Sequence, residues 1–310
     1  MKKNLLAAVD DSLHSRNALR YLTEMRSVVP ELNVTLFVVQ NPLSQYLLDE
    51  AKGNARVRKE VERLKQRNRE KAEKTLAEHR DFLVRAGFPE KAVRTETRPR
   101  SAGLSKDVLT FAQEGLFDAL VLGRRGLSKL QEMIMGSVTA GVMENALFIP
   151  VWLVDGDARS RSILAAVDGS ENSLRALDHL VFMLEGNPEA DVVFYHLEPK
   201  KGEACSLELP SEEAEEVDRI VLDGDRRCVG QFRARATERL QEAGIAGDRV
   251  RWKVDSGWSN IAKAVLGELA RGGYGTLVAG RRGVSNRFFS GSVSRALIAR
   301  ISNAALWLVP

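Results

Sequence analysis

The stretch LLAAVDDSLHSRNALRYL at residues 5–22 recurs as ILAAVDGSENSLRALDHL at residues 163–180. In both copies a short apolar run ends at an aspartate, and a longer segment with helical spacing of apolar residues follows. This order predicts a strand that is buried on both faces, followed by a helix. The chain has 310 residues, so a repeat at this distance divides it into two halves of ordinary domain size.

Further repeated stretches follow in the same order in both halves. VTLFVVQNP at 34–42 matches VVFYHLEP at 192–199, DALVLGRRG at 118–126 matches GTLVAGRRG at 275–283, and ALFIPVWLV at 146–154 matches AALWLVP at 304–310. The offset stays near 157 residues, which indicates a tandem duplication. The polar stretch DGDARSR at 155–161 predicts the boundary, with one domain over residues 1–155 and another over 160–310.

Within each half, short β-branched runs alternate with helical patterns. The pattern predicts an α/β fold of two tandem doubly wound domains, each with a five-stranded parallel sheet flanked by helices. A long helix is expected over residues 52–86, with Gly87 at its end. The strands of the first half are expected near 4–10, 33–40, 92–97, 118–123 and 149–154.

Composition narrows the class of protein. With 44% hydrophobic and 28% charged residues, the chain fits a globular protein rather than a disordered one. The apolar run at the N-terminus stops at Asp10, which is too early for a signal peptide. The two cysteines, Cys205 and Cys228, match no metal or redox spacing, so a reducing compartment is favoured. We therefore expect a cytoplasmic protein.

The stretch GRRGLSKLQEMIMGSV at 123–138 joins a predicted strand to a predicted helix, and GRRGVSNRFFSGSV at 280–293 does so again. Ligands of open parallel sheets bind at the carboxyl ends of strands, and the first turn of a helix offers amide donors to an anion. Gly123 would allow close backbone approach to a bulky anion, and Gly126 a positive φ. A plain strand-to-helix turn is the alternative for one such loop, but its recurrence favours a polyphosphate site. The spacing is neither a Walker A loop nor G-x-G-x-x-G.

The pattern G-x-x-G, nine residues, then G-S, together with the aspartate that closes AAVDDS and AAVDGS, resembles the universal stress protein family in a tandem form. For the ATP-binding branch, the resemblance implies adenine near the first-strand aspartate and the second-strand backbone, with phosphates on the glycine loop. It implies Mg²⁺ with the triphosphate. The implied contacts in the first half are Asp10, Val39, Gly123, Gly126, Gly136, Ser137 and Val138. Their counterparts in the second half are Asp168, Leu197, Gly280, Gly283, Gly291 and Ser292.

The second loop departs from the family pattern, because seven residues rather than nine separate Gly283 from Gly291. Two residues fewer remove up to about 7 Å of reach. We therefore expect the second half to bind ATP more weakly than the first, to take a shorter ligand such as AMP, or to stay empty.

Several residues also allow other roles, which their pattern favours less. Asp10 could be only a helix-start residue, although its recurrence as Asp168 favours a ligand role. The helix at 52–74 carries ten Lys or Arg against four Glu, but no aromatic residue, so a solvated face is favoured over nucleic acid. The four histidines have no metal-ligand spacing, and no catalytic set stands out, so at most a weak ATPase is expected.

Two classes remain as alternatives to a regulator that binds ATP in a stress response. One is an ATP-hydrolysing enzyme of the adenine-binding α/β group, although AAVDDS lacks a Gly-rich first loop. The other is an interaction protein that binds no nucleotide. The last strands, VWLV and LWLV, each leave a sheet edge to be covered. We therefore expect an internal pseudo-dimer of the two halves, with further homo-oligomers left open and no membrane partner.

Overall fold

The computed structural model of the chain describes residues 1–124, 137–200, 211–257, 260–281 and 292–310. In the first half the elements are β1 (Lys3–Ala8), α1 (Leu13–Met25), β2 (Leu32–Gln40), α2 (Gln45–Gly53), α3 (Ala55–Arg85), β3 (Val93–Pro99), α4 (Leu104–Glu114), β4 (Ala119–Gly123), α5 (Ser137–Asn145) and β5 (Val151–Val154). In the second half they are β6 (Ile163–Ala166), α6 (Glu171–Leu184), β7 (Val192–Leu197), α7 (Ser211–Glu242), β8 (Val250–Asp255), α8 (Ile261–Arg271), β9 (Thr276–Gly280), α9 (Ser292–Arg300) and β10 (Ala305–Val309).

Each half is the predicted doubly wound α/β unit. Its five strands are parallel, in the order β3-β2-β1-β4-β5 in the first half and β8-β7-β6-β9-β10 in the second. Apolar residues cover both faces of the sheet, one face packing against α1, α3, α6 and α7 and the other against α4, α5, α8 and α9. This double cover explains why the central strands are apolar at nearly every position.

The long helix begins later than expected. Residues 52 and 53 belong to α2, and α3 starts at Ala55. Asn54 separates them because its backbone is extended (φ −119°, ψ 110°) and its side chain accepts hydrogen bonds from the amides of Arg56 and Val57. The helix ends where predicted, since Gly87 takes a positive φ of 99° and the Phe88 amide donates to the Leu83 carbonyl at 3.0 Å.

Three basic residues of α3 pair with glutamates of the same helix. Arg63 donates to Glu60, Lys65 to Glu62 and Arg69 to Glu73, at 2.5 to 2.8 Å. Such pairs at spacings of three and four are typical of a solvated helix face.

The two halves meet through their last strands. β5 and β10 pair antiparallel, with Trp152 opposite Trp307, and this pairing makes one ten-stranded sheet. The two indole rings stack with centroids 3.9 Å apart and are fully buried. Each tryptophan also donates to a helix of the other half, Trp152 to His179 at 3.0 Å and Trp307 to Tyr21 at 2.8 Å. Among the helices in the described ranges, none has an apolar stretch long enough to cross a membrane.

Candidate functional site

Asp10 lies just after β1 and is held by the start of α1. Its Oδ1 accepts from the Ser15 hydroxyl at 2.7 Å and from the Ser12 amide at 3.0 Å, while its own amide donates to Ser15 Oγ at 2.9 Å. Ser12 is the N-cap of α1 and accepts from the Ser15 amide. From α3, His79 Nε2 lies 2.8 Å from the Asp10 carbonyl oxygen. The aspartate is thus fixed on two sides.

The second half repeats this arrangement. Asp168 Oδ1 accepts from the Ser173 hydroxyl at 2.6 Å and from the Ser170 amide at 3.0 Å, and Ser170 caps α6. The positioning serines, Ser15 and Ser173, were missed at the sequence level. The signal was present, because both halves carry Asp-x-Ser-x-x-Ser, in DDSLHS and DGSENS. The aspartate therefore does have the helix-start role, and this role leaves it at the edge of a cavity.

A cavity of about 320 Å³ opens at the carboxyl ends of β1 and β4. β1 lies between β2 and β4, so this is the point where the strand order reverses and where open α/β sheets bind ligands. Four residues predicted for the first site line it together: Asp10, Val39, Gly123 and Val138. The structure thus brings together strand ends and a helix start that are far apart in the sequence.

Packing gives Gly123 a reason to be a glycine that the sequence analysis did not consider. A Cβ at this position would lie 2.3 Å from the carbonyl oxygen of His14, in the first turn of α1. At Gly280 it would lie 2.4 Å from the carbonyl oxygen of Asn172, in the first turn of α6. The missing side chain therefore lets the helix after the first strand pack closely on the fourth strand. Close approach to an anion is not needed to explain it.

Part of the predicted loop lies outside the described residues. Gly126 and Gly136 in the first half and Gly283 and Gly291 in the second belong to this part. Ser137 and Ser292 are the first residues of α5 and α9, but their side chains are likewise outside the description. Both helices nevertheless begin where the sequence places the end of the loop.

The second half has a cavity of about 250 Å³ at the matching place, and Asp168, Leu197 and Gly280 line it. Tyr195 stands in its wall, where the first half has Phe37. Burial and the neighbouring Asp255 carboxylate raise the pKa of Tyr195 to about 12, so its hydroxyl stays protonated and donates to Asp255 Oδ2 at 3.2 Å.

The two cavities differ in positive charge. Lys71 from α3 and Arg100 after β3 line the first cavity. At the repeat offset of 157, their counterparts are Cys228 and Gly257. The offset holds at both elements, since the helix-ending glycines Gly87 and Gly244 and the strand starts at 93 and 250 correspond. An anionic ligand is therefore better matched by the first cavity.

Comparison with known proteins agrees with the fold. The model of the Universal stress protein family matches residues 1–155 and 159–309. A solved universal stress protein from Archaeoglobus fulgidus DSM 4304 is 20% identical, with a TM-score of 0.67 over 99% of this chain and 97% of that one. A functionally unknown protein from Pseudomonas aeruginosa PAO1 is 12% identical, with a TM-score of 0.58 over 99% and 92%. No curated protein matches the sequence.

Proposed function

Because this chain belongs to the universal stress protein family, we propose that its first half binds ATP as a regulatory ligand in a stress response. The observation that carries the proposal is the cavity beside β1, where Asp10, Val39, Gly123 and Val138 converge. Its volume of about 320 Å³ lies at the lower end of the roughly 300–1,000 Å³ of small-molecule sites.

The adenine would lie between Asp10 and the strand end at Val39, and the phosphates would extend toward the start of α5. Lys71 and Arg100 supply positive charge on the α3 and β3 side of the cavity. The first turn of α5 lines the same cavity and offers backbone amides, and the helix dipole favours a negative charge there. A triphosphate therefore fits this cavity better than a neutral ligand does.

Mg²⁺ would arrive with the triphosphate. Across the described residues, no group of three or more His, Cys, Asp or Glu side chains is placed to hold a metal ion. Mg²⁺ is commonly held through phosphate oxygens and waters with one or two carboxylates. Asp10 and Asp11 are the carboxylates on the wall of the first cavity. Bound there, the ion would neutralise phosphate charge.

We propose that the second half holds a weaker nucleotide site, for AMP or for none. Its cavity is smaller, and Cys228 and Gly257 take the places of Lys71 and Arg100. The paired strands β5 and β10 would let the chain act as an internal dimer of two unequal halves.

A titration of ATP into the full chain tests the proposal with two matched variants. Val39→Trp fills the first cavity, and Leu197→Trp fills the second at the equivalent position. We expect Val39→Trp to lower ATP affinity at least tenfold and Leu197→Trp to keep the tight site, as measured by calorimetry. Thermal unfolding of both variants controls for the cost of overpacking, typically about 1–3 kcal/mol.

The alternatives give other results. Equal ATP affinity in wild type and Val39→Trp, with both proteins folded, would place the nucleotide elsewhere. No heat of binding at all would favour an interaction protein. Release of phosphate in a single-turnover experiment, abolished by Val39→Trp, would favour the ATP-hydrolysing enzyme.

A further inference from the structure

Two arginines reach from one half of the molecule into the other. Arg124 directly follows β4 and Arg281 directly follows β9, at equivalent places in the repeat. The backbone amide of each donates to the last strand of its own half, Arg124 to Val154 at 2.7 Å and Arg281 to Val309 at 2.6 Å. The backbone of each arginine is thus fixed beside the seam, the place where β5 and β10 pair and join the two halves. Its side chain crosses this seam into the other half.

The guanidinium of Arg281 binds the end of α5. It donates to the carbonyl oxygens of Glu144 at 3.0 Å and Ala146 at 3.1 Å. The guanidinium of Arg124 binds the end of α9 in the same way, donating to the carbonyl oxygens of Ala299 and Ile301 at 2.5 Å each. Both side chains are therefore directed to the helix of the opposite half.

The chemistry of these contacts suits a helix end. The last carbonyl groups of a helix have no partner within the helix and carry the negative end of its dipole. A planar guanidinium can donate to two such oxygens at once, which an ammonium group does less well. Arg124 is 8% exposed and also lies 3.8 Å from Asp155, so its charge is compensated where it is buried.

The two helices held in this way are those that begin at the candidate sites. Val138 and Thr139 of α5 line the first cavity, and Val293 and Ser294 of α9 line the second. Each helix has nine residues, so about 13 Å separate its arginine-bound end from its cavity end. A helix this short moves as a rigid body, and a shift at one end is carried to the other.

We propose that Arg281 positions α5 for the ligand site of the first half, and that Arg124 positions α9 for the site of the second half. The inference rests on the proposed nucleotide function and deepens it.

The test uses full-length protein in the Leu197→Trp background, where an ATP titration reports the first site alone. Arg281→Gln keeps an N–H donor but removes the charge and the paired donors of the guanidinium. Arg281→Lys keeps the charge without the paired donors. Arg249→Gln is the matched control, because Arg249 is an exposed arginine of the same half, next to β8 and 3.7 Å from Glu189. We expect Arg281→Gln to weaken ATP binding about fivefold or more, within the usual range of coupling. Arg281→Lys should restore part of the loss, and Arg249→Gln should have no effect.

Hydrogen exchange of the ligand-free protein gives a second readout that does not depend on ATP. Arg281→Gln should speed exchange of the α5 amides but not of the α9 amides, and Arg124→Gln should do the reverse. Unchanged α5 exchange in Arg281→Gln, or faster exchange in both helices alike, would overturn the proposal. If the background protein binds no ATP, the proposed function fails, and the crossed exchange pattern still decides the role of the arginines.

Discussion

His179 shows how one residue can differ in chemistry between two equivalent places. It takes the position that Tyr21 has in the first half, and each accepts a hydrogen bond from the tryptophan of the opposite half. The Tyr21 hydroxyl has a second partner, since it lies 2.7 Å from the Thr276 hydroxyl. Burial lowers the pKa of His179 to about 3, so its ring stays neutral at ordinary pH and can accept from Trp152.

This histidine should make stability depend on pH. Its pKa is about 3 in the folded chain and about 6.5 in the unfolded chain, so between pH 6.5 and pH 3 the unfolded state binds the proton and the folded state does not. The free energy of unfolding should therefore fall by up to about 1.4 kcal/mol for each pH unit between 6.5 and 3. His179→Gln, a neutral acceptor, should show a smaller fall between pH 6.5 and 5 in urea unfolding.

Equal slopes for wild type and His179→Gln would contradict this account. Other titrating groups are common to both proteins, so the difference in slope isolates His179. This pairing was not predictable from the residues alone, because the tryptophan and the histidine belong to different halves and meet only where β5 pairs with β10. Histidine spacing excluded a metal motif but could not reveal a buried acceptor.

At the scale of elements, the periodicity of apolar residues predicted strands and helices well wherever burial follows a regular pattern. All five predicted strands of the first half occur, with ends within two residues of those expected. The long helix also has one buried side, which carries Val61, Ala72, Leu76, His79 and Leu83. The break between α2 and α3 was missed because Asn54 interrupts a segment whose apolar spacing continues across it. Propensity alone does not weigh a side chain that caps the next helix.

Lys71 on α3 has Cys228 on α7 as its counterpart, and this difference in charge leads to a second prediction. Lys71→Cys gives the first site the residue of the second, and Cys228→Lys does the opposite exchange. Because Lys71 is exposed, its contact with phosphate should be modest, and we expect Lys71→Cys to weaken ATP binding about two- to fivefold. Adenosine binding, which lacks phosphate, should not change in calorimetry.

Salt dependence separates this effect from a loss of packing. The difference between wild type and Lys71→Cys should shrink as the ionic strength rises, because exposed charges are screened. An equal loss for ATP and adenosine would show that Lys71 acts through the shape of α3 instead. Cys228→Lys should strengthen the binding of phosphate-bearing ligands at the second site.

At the scale of the whole molecule, the repeat predicted two similar domains, and the family match supports this organisation. Four candidate residues of the first half also come together, since Asp10, Val39, Gly123 and Val138 share one cavity. The hydrogen bonds that tryptophans and arginines make across the seam were not predictable. Those contacts depend on which edge strands pair and in which register, and an apolar strand such as VWLV does not specify its partner.

We propose that the cavity beside β1 is the ATP site and the stronger of two unequal sites. A crystal structure of the full chain grown with ATP and Mg²⁺ tests it most directly. We expect adenine between Asp10 and Val39, and phosphates toward the start of α5 and Lys71. Beside Asp168 we expect lower occupancy or a shorter nucleotide. Nucleotide bound only in the second cavity, or only outside both cavities, would contradict it.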